Sequence, residues 1–269
     1  MLASAVVVAR VAEPVPVDRS DLTRRFRGRA AQGIFLDLVA AQDANMAEAL
    51  HAGAGLRPYT TGVQIQPAFA DGEPWRAKLR FTALRADVAE LLPVLLSRLP
   101  SELRLDDLTL SVESATVDPT VDRDAGTTTY QDILNRWMLV AEEPDTRLSL
   151  QLVSPTAFQF HDQNQPLPLP GLLFGSLVDR WNAFSQLALN AEVRRFAEEC
   201  LAISQFRIES RIVELAGGKQ IGAIGSVAYR ALRRDSYWLR VIHALADFAF
   251  YSGIGRKTTM GMGQARRVR

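Results

Sequence analysis

Apolar residues repeat along this chain with two different periods, which together predict an ordered series of strands and helices. Alternating or β-branched stretches predict strands, whereas apolar residues three and four positions apart predict helices. The first half reads strand, helix, strand, strand, helix, strand, over Ser4–Val11, Ala30–Leu50, Tyr59–Gln66, Trp75–Thr82, Leu84–Leu99 and Leu105–Val117. Asp71-Gly72 predicts a hairpin turn between the two middle strands. We expect Asp43 to interrupt the first helix as a cap, and Pro93 to kink or restart the second.

The same order begins again in the second half. A polar loop (Asp118–Thr129) and a short helix (Tyr130–Val140) precede it, and Pro155–Gly171 is expected to be a long loop. The predicted elements are Thr146–Val153, Leu172–Leu201, Ile203–Leu215, Ile221–Leu232, Trp238–Phe250 and Met260–Val268, with a hairpin turn at Gly217-Gly218. The repeated order predicts an α+β protein with two tandem ferredoxin-like βαββαβ domains, the scaffold of RNA-recognition modules, over residues 1–140 and 145–269.

Composition favours a large core and argues against several kinds of site. Hydrophobic residues make up 48% of the 269, and no apolar run is as long as a membrane span. The single cysteine, Cys200, excludes a disulfide framework, and we expect a cytoplasmic protein. His51, His161 and His243 are scattered without a metal-binding spacing, so we expect no metal and no cofactor.

Charge is distributed unevenly along the chain. The net charge is +1, from 31 Lys and Arg against 30 Asp and Glu. From Ser204 onward, however, basic residues outnumber acidic ones threefold, and the rest of the chain is net acidic. A basic carboxyl-terminal third is typical of a surface that meets nucleic-acid phosphates, although a merely solvated basic segment has the same composition.

The segment GIGRKTTMGMGQ, Gly253 to Gln264, is the most distinctive in the sequence, and we call it the glycine loop. Glycine lets backbone N–H groups approach a bulky anion, so the segment predicts a phosphate cradle. It matches neither a P-loop nor a dinucleotide turn, and a tight turn before the last strand is the alternative. Its predicted RNA contacts are Gly253, Gly255, Arg256, Lys257, Thr258, Thr259, Gly261 and Gly263.

Five segments resemble the CRISPR repeat-processing endoribonucleases of the RAMP superfamily. The strongest match is LADFAFYSGIGRKTTMGMGQ, which ends with the glycine loop. The others, in chain order, are ALHAGAGLRPYTTG (49–62), SPTAFQF (154–160), LPLPGLLFGSLVDRWNAF (167–184) and GGKQIGAIGSVAY (217–229). The resemblance implies tandem ferredoxin-like domains, CRISPR repeat RNA as the substrate, and cleavage without a metal that leaves 2′,3′-cyclic phosphate and 5′-hydroxyl ends.

The resemblance also implies roles for individual residues. His51 matches the catalytic histidine of the family, and an imidazole that titrates near neutrality can transfer the protons that such a cleavage needs. Apart from the resemblance, the transition-state charge needs cations beside the histidine, and Arg57 and Arg29 are the candidates, with a solvated surface charge as the alternative for each. Some relatives use a tyrosine upstream of the histidine, but this chain has none between Leu2 and His51, and Tyr59 is the nearest.

Further RNA contacts are expected at Arg233, Arg234, Ser154 and Thr156. Two alternatives stay open: a non-catalytic RNA-binding subunit of a CRISPR effector complex, and a ligand-binding regulatory domain of the same fold. The expected partners are repeat RNA, effector subunits and a second copy in a homodimer, with no membrane.

Overall fold

The computed structural model describes residues 1–12, 19–52, 55–68, 73–215 and 218–268. The chain divides into a first unit, Met1–Thr127 with Thr259–Gly261, and a second unit, Thr128–Thr258 with Met262–Arg269. The division falls earlier than the expected end of the first domain at Val140, and the short helix after Thr129 belongs to the second unit. The expected turn at Asp71-Gly72 lies outside the described residues.

The first unit is built on an antiparallel sheet with β1 at its centre. Its strands are β1 (Leu2–Val11), β2 (Tyr59–Gln66), β3 (Arg76–Ala83), β4 (Glu102–Leu105), β5 (Leu108–Thr116) and β6 (Gly126–Thr128). They follow the order β2-β3-β1-β5-β4, and β6 pairs with β1. Val7 lies opposite Leu79 of β3 and Ala115 of β5. Because β1 has a neighbour on each side and is covered on both faces, it is buried along nearly its whole length.

Helices pack against this sheet and complete the first core. They are α1 (Arg19–Arg24), α2 (Gly28–Ala40), α3 (Ala44–Ala52) and α4 (Ala86–Ser97). As expected, Asp43 interrupts the predicted helix over 30–50, because its Oδ1 accepts a hydrogen bond from the Met46 N–H at 2.9 Å and so caps α3. Helix α4 continues through Pro93 without a restart. Phe35 of α2 packs on Phe81 of β3, with ring centroids 5.4 Å apart.

The second unit repeats the arrangement. Its strands are β7 (Arg147–Thr156), β8 (Phe158–Phe160), β9 (Gln163–Gln165), β10 (Leu201–Leu215), β11 (Gly218–Ala231) and β12 (Ala265–Val268). The main sheet has the order β10-β11-β7-β12, so both units place their second, third, first and last main strands side by side. This confirms the prediction of tandem ferredoxin-like folds. Strands β8 and β9 form a hairpin inside the segment that was expected to be a loop.

The helices of the second unit surround a buried tryptophan. They are α5 (Tyr130–Met138), α6 (Pro170–Phe184), α7 (Val193–Cys200) and α8 (Ser236–Ser252), followed by a 3-10 helix (Thr258–Met260). Trp181 of α6 meets Tyr130 and Phe248 edge to face, at 4.8 and 5.1 Å between centroids. The last strand is shorter than expected, since the 3-10 helix and two positive-φ glycines, Gly261 and Gly263, occupy its predicted beginning.

Candidate active site

His51 lies in the last turn of α3 and is exposed. Its imidazole makes no hydrogen bond to any residue in the described ranges. The guanidinium of Arg57 donates from Nη2 to the His51 backbone carbonyl at 2.9 Å. A cation at this position satisfies one of the carbonyls that a helix end leaves without a partner. The structure therefore places the Arg57 guanidinium against the backbone of His51, and the joint action of these two residues on a phosphate stays a prediction.

Arg29 is the second residue of α2. It is exposed and has no ion-pair or hydrogen-bond partner within the described part of the chain. Gln32 stands one turn later on the same helical face, and its Nε2 donates to the Tyr59 hydroxyl at 3.0 Å. Arg57 and Tyr59 are close in turn, because the charge of Arg57 acts on the Tyr59 phenol. The start of α2, which carries Arg29, thus lies near the segment from the end of α3 to the start of β2, which carries His51 and Arg57.

Tyr59, the hydrogen-bond partner of Gln32, is fully buried. Its ring packs on Phe35, with centroids 4.8 Å apart. Burial raises the pKa of the Tyr59 phenol, and the Gln32 hydrogen bond and the Arg57 charge only partly oppose that rise. The phenol is therefore protonated at neutral pH. Gln32 was missed by the sequence analysis, because no motif marks it and its contact with Tyr59 is made between distant segments.

Part of the glycine loop belongs to the same region. Thr259–Gly261 is counted with the first unit, where the Thr61 hydroxyl donates to the Thr259 carbonyl at 2.8 Å. A Cβ on Gly28, the first residue of α2, would lie 1.9 Å from the Met260 carbonyl oxygen. A Cβ on Gly261 would in turn lie 2.8 Å from the Gly28 Cα. Two glycines thus allow these backbones to touch directly beside Arg29.

The remainder of the glycine loop is bonded within the second unit. The Gly255 N–H donates to the Ser176 hydroxyl at 3.1 Å, and the Gly263 N–H donates to the Pro155 carbonyl at 3.0 Å. The N–H groups of Ile254 and Arg256 also donate to backbone carbonyls, both at 2.8 Å. These N–H groups are therefore occupied inside the chain. The prediction that the glycines expose backbone donors to phosphate does not fit this geometry, since the N–H groups of Gly253, Gly255 and Gly263 have partners inside the chain and Gly261 is buried as well.

The glycines instead permit close packing of the loop. Gly255 and Gly263 both have positive φ angles, of +70° and +71°. A Cβ on Gly255 would lie 2.2 Å from the Ala157 carbonyl oxygen, and one on Gly263 would lie 2.0 Å from the Ile254 carbonyl oxygen. No larger residue fits such contacts, so the backbone path itself requires glycine.

Arg180 of α6 contacts the glycine loop through a buried hydrogen bond. Its side chain is buried, and Nη2 donates to the Gly255 carbonyl at 2.6 Å. Burial lowers the pKa of the Arg180 guanidinium to about 10, which still leaves a cation at neutral pH. Sequence reasoning missed this residue. The signal was a charged residue in the apolar stretch of α6, directly before Trp181, where a buried charge needs an internal partner.

Arg256 and Lys257 are the glycine-loop side chains that fit the predicted phosphate contacts best. Both are half-buried, and neither side chain has a hydrogen-bond or ion-pair partner among the residues described. Lys257 adopts a left-handed backbone with φ of 53°. Thr258, by contrast, is buried and packs against Gly253 and Gly263. Phosphate binding by Arg256 and Lys257 stays a prediction.

Ser154 and Thr156 hold the loop in place. The Ser154 hydroxyl accepts from the Gln264 N–H at 2.9 Å, and the Thr156 hydroxyl donates to the Ser154 carbonyl at 2.9 Å. Thr156 has 0% exposure. The expectation that Thr156 touches RNA therefore does not fit its position, and its SPT motif is explained by the support that it gives to the glycine loop.

Arg233 and Arg234 lie away from the glycine loop. Both are exposed in the turn before α8, whereas the glycine loop follows the other end of that helix. The 17 residues of α8 separate the two ends by about 25 Å, at 1.5 Å per residue. Any RNA contact of these two arginines is thus distinct from the glycine-loop contact.

Two further findings concern metals and membranes. Within the described ranges, no three His, Cys, Asp or Glu side chains lie close enough to hold a metal ion together. Within the same ranges, no helix is both long and apolar enough to cross a bilayer.

The second half of the chain matches one protein family in sequence. The family model for the CRISPR-associated endoribonuclease Cas6 matches residues 150–265. Cas6 proteins from two strains of Mycobacterium tuberculosis are 29% identical to this chain over 126 residues. That alignment covers 46% of the chain and only 40% of the length of these curated relatives.

Solved structures extend the similarity to the whole chain. A Thermus thermophilus Cas6 in a product complex covers 100% of both chains, with 25% identity and a TM-score of 0.81. A second Cas6, in a substrate mimic complex, is 26% identical over 99% of both chains, with a TM-score of 0.74. A Cas6-related protein from Pyrococcus furiosus is 10% identical, and its TM-score of 0.61 shows a shared fold only.

Proposed function

We propose that this chain is a member of the CRISPR-associated repeat-processing endoribonucleases of the RAMP superfamily and that it cuts precursor CRISPR RNA within its repeats; the Cas6 matches in sequence and structure support this proposal. The RNA 2′-hydroxyl would attack the adjacent phosphate in line. The bond from phosphorus to the 5′-oxygen would break. The products would be a 2′,3′-cyclic phosphate and a 5′-hydroxyl, formed without a metal ion.

His51 would carry the proton transfer in this reaction. The attacking 2′-hydroxyl must lose a proton, and the departing 5′-oxygen must gain one. An imidazole can serve either need at neutral pH. His51 is exposed at the end of α3, so a phosphate can reach its ring without any rearrangement of the core.

Arg57 and Arg29 would stabilise the charge that develops on the phosphate. Arg57 is fixed by its bond to the His51 carbonyl at 2.9 Å, so its charge is held beside the proposed reaction centre. Arg29 is exposed and unpaired within the described residues, which leaves its full donor capacity for a ligand. The hydrogen bond between Gln32 and Tyr59 would fix the segments that carry the two cations relative to each other.

The observation that carries this proposal is the convergence of three separate sequence segments in the first unit. The start of α2 supplies Arg29, the end of α3 supplies His51, and the segment between α3 and β2 supplies Arg57. Thr259–Gly261 of the glycine loop contacts Gly28 and Thr61 in the same unit. Part of the most specific motif of the sequence therefore contacts Gly28, which directly precedes Arg29.

The test uses the purified chain and a repeat RNA with a single 2′-deoxy nucleotide immediately before the cut. We expect the unmodified repeat to be cut equally well with and without EDTA, and the deoxy repeat to bind normally but stay intact. The 5′ fragment should carry a cyclic phosphate by mass spectrometry. Cleavage of the deoxy repeat would refute the proposed attack by the 2′-hydroxyl, and loss of activity in EDTA would refute metal independence.

One observation favours a second candidate, a non-catalytic RNA-binding subunit of a CRISPR effector complex. Within the described residues, no side chain orients the His51 imidazole, whereas catalytic histidines are usually held by a hydrogen bond. Under this alternative the purified chain would bind repeat RNA and leave it intact. Cleavage by the chain alone would exclude it.

A further inference from the structure

The second unit contains a cavity of about 730 Å³, and none of the predicted site residues lines it within the described ranges. Its wall is formed by the last turn of α5, the start of β7, one side of α8 and the end of β12. Pockets that bind small ligands usually measure about 300–1,000 Å³. Arg267 of β12 lines the cavity and follows Gln264 by three residues, which places it about 10 Å along an extended chain from the end of the glycine loop.

Trp137 of α5 lies between two other planar groups at the wall of this cavity. Its ring stacks on the His243 imidazole, with centroids 4.6 Å apart. The Arg267 guanidinium lies over the same ring, with Cζ 4.5 Å from the centroid. The indole Nε1 donates to Asp247 at 2.8 Å, which fixes the orientation of the ring. Because two groups cannot share one face of the ring at these distances, they cover opposite faces and form a column of three planar groups.

Arg267 keeps most of its hydrogen-bonding capacity. Its side chain is only 20% exposed, and within the described part of the chain its one ion-pair or hydrogen-bond partner is Asp247, at 3.5 Å. A guanidinium has five N–H donors, and a polar group that is withdrawn from water without a partner costs free energy. Since Arg267 lines the cavity, a ligand there can accept from these donors and cover the face of the guanidinium that Trp137 does not cover.

The charges around the cavity leave one cation in excess. Three arginines line it, Arg136, Arg147 and Arg267, against the two carboxylates of Asp145 and Asp247, which gives a net charge of +1. Asp247 is shared, because Arg136 also approaches it, at 3.3 Å. The Arg147 guanidinium is exposed and makes no ion pair within the residues described. The cavity is therefore suited to one negative charge.

We propose that this cavity binds one unpaired nucleotide of an RNA strand. Its base would stack on the Arg267 guanidinium and extend the column that begins at Trp137, since guanidinium planes are stacking surfaces for RNA bases. Arg136 and Arg147, which are exposed at the cavity, would bind the phosphodiester. The Ser149 hydroxyl has no hydrogen-bond partner in the described ranges, so it would be available to the ribose 2′-hydroxyl or the base.

The inference rests on the proposed function only in taking an RNA strand as the ligand. The excess of one positive charge matches a phosphodiester within a strand, whereas the terminal phosphate of a free nucleotide carries about 1.5 to 2 negative charges. The position of the cavity supports the same ligand. Because β12 leads from the glycine loop to the cavity, a strand that meets Arg256 and Lys257 can continue along β12 into it.

The test compares two labelled five-nucleotide probes by fluorescence anisotropy: an adenosine RNA, and a strand of the same length and charge that lacks bases. The parent should bind the adenosine RNA about fivefold more tightly or better, the usual effect of stacking one base. Arg267→Lys keeps the charge but removes the planar face, so it should lose most of this preference and keep its affinity for the strand without bases. Arg136→Gln/Arg147→Gln should weaken the binding of both probes to the same extent.

Arg195→Gln is the matched control. Arg195 is exposed on α7, which packs against β10 at the opposite edge of the sheet from β12. This variant should bind both probes like the parent, and circular dichroism would show that each variant is folded. If Arg267→Lys does not fold, the exposed pair decides, because parental binding of both probes by Arg136→Gln/Arg147→Gln would overturn the proposal.

Two further outcomes would overturn the inference. A full base preference in folded Arg267→Lys would remove the nucleotide from the cavity, even if the chain cuts repeat RNA, whereas a parent that binds no RNA would refute the proposed function as well. Binding of adenosine monophosphate as tight as that of the five-nucleotide RNA, and equally weakened in Arg267→Lys, would show that the cavity takes a free nucleotide and not a strand.

Discussion

The end of α3 and the glycine loop differ in how much of their polar chemistry is already used inside the chain. At the end of α3, the His51 imidazole and the nearby Arg29 guanidinium are exposed and have no partner in the described residues. In the glycine loop, the N–H groups of Gly255, Arg256 and Gly263 all donate to neighbouring atoms. Substitutions in the first region should therefore change chemistry, whereas substitutions in the second should first change stability.

The largest effect is expected from adding a Cβ to the glycine loop, which tests whether substitutions there first change stability. Gly255→Ala and Gly263→Ala should each destabilise the protein by roughly 3 kcal/mol or more. Strain at a positive φ costs about 1–3 kcal/mol, and the backbone must also move away from a carbonyl oxygen. Urea unfolding monitored by circular dichroism measures the change.

Gly218→Ala is the matched control, since Gly218 also has a positive φ, of +106°, but its added Cβ has no atom within 4 Å among the described residues beyond its chain neighbours. Gly218→Ala should therefore lose only the stability that a non-glycine residue loses at a positive φ. If Gly255→Ala and Gly263→Ala are no less stable than Gly218→Ala but lose RNA affinity, the result would favour the hypothesis that the glycines form a phosphate cradle.

A smaller effect is expected from the glycine-loop cations. Arg256→Ala/Lys257→Ala should keep the fold and weaken RNA binding. The plot of log affinity against log salt should become shallower by about 1.4, since each phosphate contact on single strands contributes roughly 0.7.

Arg233→Ala/Arg234→Ala provides the comparison at the other end of α8. It should change the slope only for RNAs long enough to reach that end. Equal effects of both pairs on a short repeat fragment would contradict the separation of about 25 Å along α8.

The smallest effect concerns the pH dependence of stability in the second unit. His243 is buried, stacks on Trp137 and contacts the Asp145 carbonyl at 2.7 Å through Nε2. Burial lowers the pKa of His243 below its ordinary value of 6.5, and the Arg267 charge adds to this against the opposing Asp145 contact. The unfolded chain therefore binds the proton more readily. Stability should be constant with respect to this group above pH 6.5 and should fall as the pH drops below it.

The measurement compares urea unfolding of the parent and of His243→Gln between pH 7.5 and 5. The difference in unfolding free energy between the two proteins should shrink as the pH falls, by at most about 1.4 kcal/mol per pH unit. A difference that is constant over this range would remove His243 from the pH response.

The fold was predictable because both halves repeat one simple pattern of periods. The alternation of β10 and β11 and the helical spacing of α8 each indicated an element close to its observed bounds. Short elements were missed, because hairpin β8–β9 has only three residues in each strand and lies in a proline-rich segment.

The site was only partly predictable from sequence. The resemblance indicated His51, and the need for a cation nearby indicated Arg57. The glycines and threonines of the glycine loop gave no sign whether their hydrogen-bond donors face a ligand or the chain itself. Thr156 and Gly255 are examples, since both are buried by tertiary contacts from distant segments. Gln32 carries no motif, and its place beside Tyr59 depends on how α2 packs on β2.

The most direct test of the central claim, that chemistry resides at the end of α3, is the single-turnover rate of repeat cleavage by His51→Ala. We expect the rate to fall by roughly 10² to 10⁴, the usual loss for a missing general acid or base, while RNA affinity stays near the parental value. His161→Ala, which removes an exposed histidine from the turn after β8, should cleave at the parental rate. Parental cleavage by His51→Ala would contradict the account.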